Sequence, residues 1–103
     1  MKKVIGLVLI CISVQSFAAR NVPTSTVNYV YQQDSATVFE FNSTVRHNCG
    51  SSLYQVRSPN VAVANRKFSL VLTAFTAGKN LAFHDTEECA GNRSVVAWVR
   101  LTN

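Results

Sequence analysis

The sequence predicts a small α+β domain: a five-stranded antiparallel curved sheet, or an OB-like barrel, with one helix between its third and fourth strands. Three observations predict it. Short stretches on both sides of residues 58–78 alternate apolar and polar side chains, as half-buried strands do. Inside that stretch the apolar spacing changes to three and four residues, the period of an amphipathic helix. The chain has 103 residues, 48% hydrophobic and 15% charged, enough apolar surface for one small core and no second domain. The same figures exclude a disordered tail, a collagen-like fibre, a charged coiled coil and a multidomain enzyme.

The N-terminus reads as a secretory signal peptide spanning residues 1–18: Met1-Lys2-Lys3, an apolar run from Val4 to Val14, then Gln15-Ser16-Phe17-Ala18. Ser16 and Ala18 sit three residues and one residue before a cut after Ala18, whereas a cut after Ala19 would put bulky Phe17 at the outer position. The expected product is a single domain, residues 19–103, exported to the periplasm or secreted. A membrane anchor would need about 20 apolar residues and the run offers roughly fifteen; a lipid on Cys11 would follow Ile10, where a small residue normally stands. Processing leaves eight basic against five acidic residues, a net +3 scattered without a run and too weak for a nucleic-acid surface. It also leaves Cys49 and Cys89, an even pair in an oxidising compartment, which are expected to form a disulfide.

The elements follow in order. Val27, Tyr29 and Tyr31 alternate with Asn28, Val30 and Gln32 in a first strand. Gln33-Asp34-Ser35 is a turn, Thr37 to Phe41 a second strand, and Leu53 to Arg57 a third after the polar break from Asn42 to Ser52. Ser58 is placed to cap a helix with Pro59 at its first position. The buried stripe is Val61, Ala64, Phe68, Val71 or Leu72, and Phe75, with Arg66, Ser69, Thr73 and Thr76 opposite, and Gly78-Lys79 ends the helix. Leu81 to His84 and Val95 to Leu101 are the last two strands. In the latter Val95, Ala97, Val99 and Leu101 alternate with Val96, Trp98 and Arg100, and the polar segment from Asp85 to Arg93 connects the pair.

Chemistry-bearing groups are sparse. Cys49, Cys89, His47 and His84 spell a two-thiolate, two-imidazole zinc set, but without a short Cys-x-x-Cys clip and in competition with the bridge, so no metal is expected. The histidines are then expected as exposed residues at strand ends. Cys89, His84 and Asp85 spell a nucleophilic site that needs a free thiolate. Asp85, Glu87 and Glu88 read as a solvated anionic hairpin. Neither an enzyme nor a cofactor is expected. Trp98 with Tyr29, Tyr31 and Tyr54 is a candidate aromatic platform for a sugar, set against ordinary cross-strand packing, and Trp98 falls out of phase with Val95, Ala97 and Val99, toward the outer face.

From Tyr54 to Asn103 the order is a strand, a long helix ending at Ala74 to Gly78-Lys79, a short strand, a Cys-containing loop and a closing apolar strand. This half of the chain resembles the C-terminal half of the OB-fold B-subunits of bacterial AB-type toxins, of the subtilase-cytotoxin and pertussis-like kinds, and short uncharacterised exported gammaproteobacterial proteins. The resemblance implies an OB-like fold, a homo-oligomeric, pentameric ring, and glycan binding without catalysis; it places no sugar-contacting residue on this sequence. The expected function is a secreted or periplasmic non-catalytic binding protein whose partner is a glycan. The alternative is a monomeric periplasmic protein that binds or inhibits another envelope protein.

Overall fold

A computed structural model describes residues 19–102; residues 1–18, where the leader is expected, and residue 103 lie outside them. The chain runs β1 (Arg20–Ser25), β2 (Val27–Tyr31), β3 (Val38–Ser43), β4 (Leu53–Arg57), α1 (Val61–Ala77), β5 (Asn80–Ala90) and β6 (Arg93–Thr102). The domain is α+β, as expected, but its six strands form one mixed sheet in the order β1-β5-β6-β4-β3-β2. Three details of the expectation are corrected. There are six described strands and not five, β4 and β6 pair in parallel, and the helix follows the fourth strand. The parallel pair arises because α1 lies between β4 and β5 and carries the chain over the sheet, which a tight hairpin cannot do.

The strand missed in the sequence is β1. Only Val22 and Ser25 of Arg20–Ser25 are buried, and Pro23 interrupts it, so it shows neither alternation nor β-rich composition. It pairs with β5, and its register shifts between Val22 and Ser25, around the proline that has no N–H to donate. β1 and β2 occupy the two edges of the sheet yet are separated only by Thr26. Such a path is open only to a strongly curved sheet.

The expected polar connection from Asp85 to Arg93 is largely strand. β5 continues to Ala90, and the turn shrinks to Gly91-Asn92, with Gly91 at φ 65° as a two-residue hairpin requires. Irregular backbone absorbs the polar residues. Glu87 takes φ 61°, the register shifts between Asp85 and Cys89, and the Thr86 hydroxyl donates to the Val95 carbonyl at 2.7 Å.

The helix start is also corrected. Ser58 N–H donates to the Thr37 carbonyl and stays with the sheet, while Asn60, extended at φ −157°, is the N-cap: its side-chain oxygen accepts from Val63 N–H at 2.9 Å. Gly78, at φ 66°, ends the helix in the left-handed conformation as expected. The buried stripe is Ala64, Val71 and Ala74 with Phe68 packed beside it, and Val61, Leu72 and Phe75 are exposed. Under it lies an aromatic core. Phe39 meets Phe68 edge-on at 5.1 Å, and Phe41, Tyr54 and Phe83 make mutual contacts with centroids 4.6–5.5 Å apart. Each such side chain stabilises the fold by roughly 1.5–3 kcal/mol through burial alone.

Candidate functional site

The sheet register assembles a polar cluster on the face opposite this core. Tyr31 of β2 lies across from Glu40 of β3, and Glu40 lies across from Gln55 of β4. Arg93, at the start of β6, reaches the same carboxylate. Glu40 accepts from the Tyr31 hydroxyl on one oxygen, and from Arg93 Nε at 2.6 Å and Gln55 Nε2 at 3.0 Å on the other. Burial works to raise the Glu40 pKa, but these donors favour the carboxylate more strongly and hold it below its ordinary value. The same hydrogen bond raises the Tyr31 pKa, because the neutral phenol is what donates.

Beside the cluster opens a cleft of about 200 Å³, between turn residues Gln33, Asp34 and Ser35 and sheet residues Val38, Glu40 and Gln55. Tyr29 stands next to Tyr31 on the same outer face, ring centroids 6.1 Å apart, and is 46% exposed. A bulge explains why both tyrosines point outward. Val27 pairs with Ser43 and Tyr29 with Asn42, leaving Asn28 as the extra residue; Val27 therefore faces the core and the tyrosines do not. The face thus combines an aromatic surface, a shallow cleft and fixed hydrogen-bonding groups, the set of features from which small polar ligands are recognised.

The platform expected from four aromatics is divided. Tyr54 is fully buried, with its hydroxyl donating to the Val45 carbonyl at 2.8 Å and its pKa pushed up to about 12, chiefly by burial. Trp98 lies on β6, away from the tyrosines of β2. A second bulge sets His84 alone against Ala97 and Trp98, so Val96 and Val99 both reach the core and Trp98 is turned out, 38% exposed. His84 stacks on Trp98 at 6.0 Å and donates through Nδ1 to Asn21, and Arg100 sits 5.6 Å over the indole.

Cys49 and Cys89 are joined by a disulfide with Cα atoms 5.5 Å apart, which removes both the zinc set and a Cys89 nucleophile. Among the described residues no group of three or more His, Cys, Asp or Glu is arranged to hold a metal. The histidines are not exposed strand ends. His47 is buried, accepting from Cys49 N–H on Nδ1 and therefore donating from Nε2 to the Leu53 carbonyl; His84 lies within β5. Nor are the three hairpin carboxylates all solvated. Asp85 is 0% exposed and accepts from the Ser94 hydroxyl, the Glu87 N–H and Arg20 Nε, and Glu87 also pairs with Arg20; only Glu88 points to water. They form a structural lock between the first strand and the last hairpin.

Compared with known families, curated proteins and solved structures, the chain matches none. Sequence reading did not single out Glu40, Gln55 or Arg93. The available signal was a carboxylate inside the apolar run Val38-Phe39-Glu40-Phe41, a costly place for a charge unless partners await it. No helix among the described residues is long and apolar enough to cross a membrane.

Proposed function

We propose that the chain is an exported, non-catalytic OB-like module, processed after Ala18, that binds glycans through the outer face of β2, β3 and β4. The observation that carries this reading is the Tyr29–Tyr31 pair beside the polar cleft at Glu40 and Gln55. Sugar rings offer apolar C–H faces to aromatic side chains and hydroxyls to planar polar ones, and both lie here within one surface. The strand path supports the OB-like part. Counting β1 and β2 as one strand bent at Thr26 leaves five strands, with the helix between the third and the fourth. The disulfide suits an oxidising compartment.

A glycan array probed with the exported chain, alongside its Tyr29→Ala variant, tests the reading. Tyr29 is exposed, so the variant should fold. Retention of a defined glycan set by the native chain, weakened about tenfold or more by the substitution, is the expected result. An array on which the native chain holds nothing would reject it.

A second reading, self-association into a ring or docking on an envelope protein, is favoured by Leu72 and Phe75, 39% and 43% exposed on the outer side of α1, and by the outward Trp98. Light scattering after size exclusion separates its two forms. A species of about five subunits supports the ring; a clean monomer eliminates it and leaves the protein partner.

A further inference from the structure

We propose that the cleft between the 33–35 turn and Glu40 takes a single uncharged sugar ring at the end of a glycan and rejects an acidic one; this rests on the glycan-binding reading above. Size is the first argument. Clefts that bury drug-sized ligands start at about 300 Å³, so one of about 200 Å³ holds one ring and leaves the rest of a longer glycan outside.

Charge is the second. The cleft is lined by the carboxylates of Asp34 and Glu40 and by no Lys or Arg. Of the guanidinium groups on the neighbouring strands, Arg93 donates to Glu40 at 2.6 Å, and Arg57 donates to Gln55 Oε1 at 2.7 Å and faces Glu88 at 3.7 Å; neither lines the cleft. An acidic sugar would bring its carboxylate toward Asp34 and Glu40 in a cleft whose own lining holds no cation. An uncharged ring meets better-matched groups. Among the described residues the Asp34 carboxylate and the Gln33 amide have no hydrogen-bond partner, so they can accept from and donate to sugar hydroxyls without breaking an internal bond. The wall behind them does not have to rearrange. Glu40 is held by Tyr31, Gln55 and Arg93, so the cleft is formed before any ligand enters.

The test is saturation-transfer NMR on the exported, disulfide-bonded chain with methyl β-galactoside, methyl α-glucoside and the methyl glycoside of N-acetylneuraminic acid. Transfer to at least one hexoside is expected, with the acidic sugar bound at least about tenfold more weakly, and Asp34→Ala should weaken the hexoside by a similar factor. Asp34 is exposed and unpartnered, so this substitution leaves folding intact. An acidic sugar bound as well as the hexosides overturns the proposal while leaving glycan binding in place. Hexoside binding indifferent to Asp34→Ala overturns the assignment to this cleft. Transfer to none of the three overturns the proposal, and an empty array with it would overturn the wider reading too.

Discussion

Glu40 shows how one side chain joins folding to the site. It sits between Phe39 and Phe41, which face the core, so period-two alternation turns it to the outer face, where sequence logic expects a solvated charge. Instead it is 6% exposed, and the donors that make this tolerable come from three other strands. Its pKa lies below the ordinary 4.5, so ionised Glu40 favours the folded state; that contribution is complete above 4.5 and is lost as pH falls through the lower, folded value. The urea midpoint of the native chain should thus hold steady near neutral pH and fall on acidification below 4.5. Glu40→Gln should lower the neutral midpoint and flatten that acid limb. An acid limb unchanged in the variant would mean that other carboxylates carry it.

At the scale of the element, the helix start separates a motif from its context. Ser58-Pro59 has the composition of a cap followed by a first helical residue, but proline pushes the residue before it toward extended backbone, and Ser58 N–H is already donated to the carbonyl of Thr37, just before β3. The cap passes to Asn60. The Ser58 hydroxyl is left buried with no partner among the described residues. Asn60→Ala should therefore cost about 1 kcal/mol, while Ser58→Ala should be neutral or slightly stabilising, read as shifts in the urea midpoint at constant m. The reverse order would return the cap to Ser58. The helix stripe was legible from its spacing from Ala64 to Val71; at its ends Val61 is exposed and Ala74 is buried in place of Phe75.

For the whole molecule the disulfide is the largest single constraint. It ties the segment before β4 to β5 across a sequence separation of 40 residues. On the chain-entropy argument closing such a loop contributes about 4 kcal/mol, a large share for a domain of this size. Reduction, or Cys49→Ser with Cys89→Ser, should lower unfolding free energy by about that amount, measured by urea denaturation with and without reductant. A loss under about 1 kcal/mol would show that the Arg20–Asp85–Ser94 lock and the aromatic core hold the sheet without it.

Residue order alone was enough for the α+β class, the helix with its glycine stop, five of the six described strands in outline and the pairing of Cys49 with Cys89. These rest on local periodicity, on backbone preference and on the two cysteines that remain once the expected leader is set aside. Tertiary structure decided the rest. β1 exists because β5 offers it an edge, since its own residues have little strand character. β5 runs through a polar segment because bulges and the buried Asp85 give those polar groups partners. The polar cluster beside the cleft, too, is a product of register: Tyr31, Glu40, Gln55 and Arg93 come from four strands, and only pairing in the folded sheet sets them on one face. No periodicity encodes that convergence, because it depends on which residues lie opposite one another and not on which lie next in the chain.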